Sequence, residues 1–116
     1  MIRWLVTCLF TLVLIGEGLA AEVDIVQLVQ KGDVYLAQGR PQLALSEYEK
    51  ARQAGAGSAP FLNRMAGIYM QTGAFAKALI VLRESLAEEP GQLTLHSRIS
   101  EAHLALGQID SAIASV

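Results

Sequence analysis

Residues 59–92 read APFLNRMAGIYMQTGAFAKALIVLRESLAEEPGQ, and this stretch decides the fold. Leu62, Met65, Ala66, Tyr69 and Met70 recur at steps of three and four, which draws one apolar stripe along a helix. Thr72-Gly73 interrupts the stripe, because glycine readily takes the left-handed backbone that ends helices. A second helix follows, with Phe75, Ala78, Leu79, Leu82 and Leu86 on its core face. Glu88-Glu89-Pro90-Gly91 closes the unit, since proline cannot continue a helix.

The same plan lies on both sides of this stretch, offset by 34 residues. Gly39, Gly73 and Gly107 keep the offset, as do Ala44, Ala78 and Ala112, and Leu45, Leu79 and Ile113. Tyr35 pairs with Tyr69, Leu28 with Leu62, and Ala51 with Ser85, while Tyr48, Leu82 and Val116 keep apolar character. The first unit therefore reads as a helix from Ile25 to Gln38, a break at Gly39-Arg40 and a second helix from Pro41 to Ala54. Pro41 suits a first helical turn, where its missing N–H is no loss. Gly55-Ala56-Gly57 is a connector, and Ser58 is expected to cap the helix after it. The third unit runs from Leu93 to a break at Gly107, then a short final helix from Ile109 to Val116. Ala44 and Ala78 are expected at the closest crossing of each pair, with Gly32, Ala66 and Ser100 facing them, because small side chains let helix axes approach. One such pair cannot bury its apolar face alone, whereas stacked pairs can.

These residues resemble the tetratricopeptide repeat family, whose units combine two helices in 34 residues. The second unit matches the family pattern at Leu62, Met65, Ala66, Tyr69, Gly73, Ala78, Leu82, Ser85 and Pro90. The first matches at Leu28, Gly32, Tyr35, Gly39, Ala44, Tyr48 and Ala51, departing at Lys31 and Ala56. The third matches at Ile99, Ser100, Gly107 and Ala112, but carries His96 and His103 where bulk is usual. The fold class implied is all-α, an α-solenoid of antiparallel helix pairs. Residues 21–116 form its repeat domain, with units at 25–58, 59–92 and 93–116, the last incomplete. The function implied is recognition of another protein or peptide in a groove lined by the first helix of each pair.

Carried onto this chain, the resemblance places Asn63, Arg64, Gly67, Met70 and Gln71 in that groove, with Ser97, Arg98, Glu101 and Leu104 from the third unit and Val26, Val29, Asp33 and Leu36 from the first. Arg64 and Arg98 occupy equivalent positions. Both a grip on a peptide carboxylate and two solvated cations fit them. Family members that bind chaperone tails hold the terminal carboxylate with Lys, Asn, Asn, Lys and Arg. Here those places hold Val29, Asp33, Arg64, Thr94 and Arg98, so only Arg98 matches and that clamp is not expected.

The first twenty residues are of a different kind. Arg3 precedes an uncharged run of 13 residues, Trp4 to Gly16, and Gly18-Leu19-Ala20 ends on small residues. A bilayer-crossing helix needs about 20 apolar residues. The shorter run fits a secretory signal at residues 1–20, cleaved after Ala20 or Ala21. An uncleaved membrane anchor and a buried N-terminal helix are the alternatives. Cys8, the sole cysteine, lies inside the run, so the exported chain would hold no thiol and no membrane span. Localisation is expected in the periplasm, in envelope assembly or secretion.

Composition narrows the remaining classes. Of 116 residues, 53% are hydrophobic and 17% charged, which excludes a disordered chain. A net charge of -2 supplies no basic field for nucleic acid. No phosphate-cradling glycine loop and no nucleophile-elbow motif occurs. His96 and His103 lie seven apart, too far along a helix to share a metal, and are expected to be packed or interfacial. No cofactor, metal or enzymatic activity is expected. The rival to a peptide-binding scaffold is a self-associating protein, or a piece of a longer one, whose open third unit is completed by further chain or a partner.

Overall fold

The computed structural model describes residues 24–114, with side chains to residue 110. The export signal expected at residues 1–20, its cleavage after Ala20 or Ala21, and Val116 lie outside the described residues. Five helices occupy the described chain: α1 at residues 24–37, α2 at Pro41–Gln53, α3 at Ala59–Gln71, α4 at Phe75–Glu88 and α5 at Leu93–Ala114. The fold class is the all-α helical-repeat class that the period implies. The described chain divides into two compact units, the first ending at Gly55 and the second beginning at Ala56.

In the first unit, α1 ends at Gly39 with φ 71°. The Arg40 N–H reaches the Tyr35 carbonyl at 2.9 Å and the Gly39 N–H reaches Leu36 at 3.0 Å. These two bonds satisfy carbonyls that the helix end would otherwise orphan. The chain turns, and α2 starts on Pro41. Ala44, Leu45, Tyr48 and Ala51 are buried along α2. Gly32 lies against Tyr48: a Cβ there would stand 2.5 Å from the tyrosine ring. Gly32 is thus needed for the ring to fit, and the fully buried Tyr48 donates its hydroxyl to Asp33.

In the second unit, α3 ends in the same way. Gly73 has φ 79°, and the Ala74 N–H reaches the Tyr69 carbonyl at 2.8 Å. Thr72 adds its hydroxyl to the Ile68 carbonyl at 2.9 Å. Leu62, Met65, Ala66 and Tyr69 are buried as the stripe requires, joined by Phe61 and Ile68. Opposite them α4 buries Ala78, Leu79, Val81, Leu82 and Ser85, whereas Phe75, Leu86 and Met70 are only half-buried. Ser58 stands at the N-cap with extended backbone, but its hydroxyl makes no capping bond; Pro60 has no N–H to offer in that first turn.

The third unit departs from the expected plan. No turn occurs at Gly107, and α5 runs through it as one helix of 22 residues. Gly107 lacks the left-handed φ of Gly39 and Gly73. The helix packs on α4 through Leu95 and Ala102, which are buried. Ser100, expected to face the following helix, is exposed and donates its hydroxyl to the His96 carbonyl. The physical reason lies in the face that a returning helix would cover. In α3 that face is Leu62, Ala66 and Tyr69; in α5 it is His96, Ser100 and His103. Burying these polar groups repays a turn poorly, while continuing the helix keeps every backbone hydrogen bond.

Candidate functional site

Helix α3 sorts its residues by face. One stripe, Leu62, Met65, Ala66 and Tyr69, is committed to the core. Arg64 and Gln71 are exposed one helical turn on either side of Gly67. Asn63 and Met70 flank the same point and are half-buried. On α5, Arg98 and Glu101 are exposed and three residues apart, hence neighbours on one face. The second unit therefore holds all six residues singled out for the groove: Asn63, Arg64, Met70 and Gln71 on α3, Arg98 and Glu101 on α5.

Asn63 has a role that sequence reasoning missed. Its amide nitrogen donates to the Gln92 side chain at 2.7 Å, and its amide oxygen accepts from the Ser85 hydroxyl at 2.6 Å. Gln92 in turn donates to the Ser85 and Glu89 carbonyls, each at 3.0 Å. The network ties α3, the end of α4 and the start of α5 together. It gives the Ser85 carbonyl, which already accepts from the Glu89 N–H, a second donor, caps the Glu89 carbonyl just past the end of α4, and satisfies the hydroxyl of the fully buried Ser85. Ser85 counted in the sequence only as a small residue, and Gln92 carried no signal. Asn63 is thus held in place by two side-chain hydrogen bonds.

The two arginines bring the chemistry. A guanidinium offers a planar fork of donors that matches a carboxylate. Glu101 keeps this surface from being purely basic. On α1, Asp33 is held by Tyr48 and exposed; Val26 is exposed, while Val29 and Leu36 are half-buried. His96 and His103 are not packed within the chain: both are exposed on α5, because no helix folds back over them. Among the described residues, no group of His, Cys, Asp and Glu side chains is arranged to hold a metal ion. Among them too, no helix is long and apolar enough to cross a membrane.

The family model for the tetratricopeptide repeat matches residues 35–84. Among solved structures, the chain is similar to the first TPR of Spaghetti (RPAP3), bound to the HSP90 peptide SRMEEVD. Identity is 25% and the TM-score 0.57, over 77% of this chain and 72% of that one. It is also similar to the second TPR domain of human RPAP3, in complex with the HSP70 peptide SGPTIEEVD. There identity is 15% and the TM-score 0.63, over 79% of this chain and 77% of that one, a likeness of fold alone. No curated protein matches the chain.

Proposed function

Because this chain is a tetratricopeptide repeat protein, we propose that it is a non-catalytic scaffold that binds an acidic segment of another protein along α3 and α5. The observation that carries this reading is the exposure of Arg64 and Arg98 at matched positions of two helices in one compact unit. A structural relative 25% identical to this chain holds an acidic peptide, which supports the same chemistry. A chaperone tail is not the proposed ligand, since the residues expected of that clamp are absent here except Arg98. The pattern of residues 1–20 supports action after export, in a bacterial envelope assembly or secretion process.

The test uses short synthetic peptides graded in acidic content, each paired with a version in which Glu is replaced by Gln. The acidic forms bind and the amide forms do not. Changing Arg64 and Arg98 together to Ala weakens binding about tenfold, or ~1.4 kcal/mol, with the helical circular dichroism intact. Changing Lys77 and Arg83, both exposed on α4, leaves affinity within about twofold. Equal losses from the two pairs would mean diffuse electrostatics and end the groove reading.

Exposed Leu93 and Leu104 on α5 favour a second reading, self-association through that helix. Sedimentation separates the two: a self-associating chain shifts toward monomer on Leu104→Ser, and a peptide scaffold does not.

A further inference from the structure

Gly67 lies in the interior of α3, where glycine destabilises a helix relative to alanine. Nothing in the fold accounts for it. Its φ is not left-handed, unlike that of Gly39, Gly55 and Gly73. A Cβ built on it would meet no atom within 4 Å, whereas one on Gly32 would strike the Tyr48 ring. Gly32 is explained by packing, and Gly67 is not. The position is half-buried, so the missing side chain leaves a notch in the helix surface rather than a bare ridge.

The walls of that notch are the residues one turn away in each direction: Asn63 and Arg64 before it, Met70 and Gln71 after it. Asn63 is fixed by Ser85 and Gln92, so that wall does not collapse inward. Met70 is half-buried and offers an adaptable apolar edge. Gln71 is exposed, and its amide can both donate to and accept from a peptide backbone. Arg64 carries the positive charge at the rim.

We infer that Gly67 is the crossing point of the bound segment: an acidic peptide in extended conformation passes its main chain over α3 at this notch, with a carboxylate on Arg64 and its backbone amides on Gln71. Charge complementarity fixes the class of occupant, and the absent Cβ supplies the close approach that a main chain needs. This inference rests on the peptide-binding reading and adds where the ligand crosses and what part of it does so.

The experiment fills the notch in the full-length chain and measures binding of the tightest acidic peptide from the graded series. Gly67→Leu lowers affinity at least about tenfold, and Gly67→Ala lowers it less. Gly67→Ala does not lower the melting temperature, because its Cβ meets open space and the helix gains a better former. Binding of Gly67→Leu within about twofold of the unchanged chain, while the arginine pair still loses it, overturns the notch and leaves the groove reading standing. Lost binding accompanied by a lowered melting temperature would show Gly67 to be a packing residue, and would also overturn the notch. Failure of the unchanged chain to hold any acidic peptide overturns both.

Discussion

Gly73 and Gly107 stand one repeat apart and behave in opposite ways. At Gly73 the backbone turns left-handed, α3 stops, and α4 returns to cover Leu62, Met65 and Tyr69. At Gly107 the helix simply continues. The local signal is similar, since each glycine follows a helix of apolar period and precedes a segment with alanine at a matched place. A glycine therefore permits a turn without imposing one. Burial of the returning helix is what makes the turn worthwhile, and the faces of α3 and α5 differ in what they offer for burial.

The largest effect that would break this comparison is Tyr69→Ala. Tyr69 is buried on the face that α4 covers, and truncating a buried aromatic costs ~3–5 kcal/mol. Leu104→Ala on α5, where the side chain is 67% exposed, changes stability by no more than ~0.5 kcal/mol. Thermal melts read both, and comparable losses would show that the α5 face is packed after all. Next is Asn63→Ala. It leaves the buried Ser85 hydroxyl with fewer partners and frees Gln92, for a loss of ~1–3 kcal/mol. A neutral outcome in urea unfolding would show the network to be incidental. Smaller still is Gly73→Ala, which forces a side chain into left-handed backbone at ~1–2 kcal/mol. The matching change, Gly107→Ala, has the opposite sign and stabilises by ~0.5–1 kcal/mol, because it sits inside a continuous helix with open space at the Cβ. Destabilisation at both glycines would mean that α5 turns in solution as α3 does.

Much of the first two repeats was legible residue by residue. The steps of three and four placed Leu62, Met65, Ala66 and Tyr69 on a core stripe, and the left-handed turns fell at Gly39 and Gly73 as read. Arg64, Gln71, Arg98 and Glu101 lie exposed on α3 and α5, the helices that open their units in the sequence pattern. Less legible were the polar ties. Nothing local marks Gln92 as the partner of Asn63, 29 residues earlier, or Asp33 as the acceptor for Tyr48. Side-chain hydrogen bonds across a sequence gap depend on where two elements meet, which a periodic pattern does not encode.

The amino-acid sequence by itself determined the helical period, the repeat length and the turn residues, because these follow from backbone preferences and from the spacing of apolar side chains along one helix. Only the tertiary structure decided that Gly32 makes room for Tyr48, that Gly67 makes room for nothing in the fold, and that α5 runs straight past Gly107. Each of these is a question of what lies opposite a residue. The free energy of filling or leaving that space belongs to pairs of surfaces, and a single strand of sequence carries only one surface of each pair.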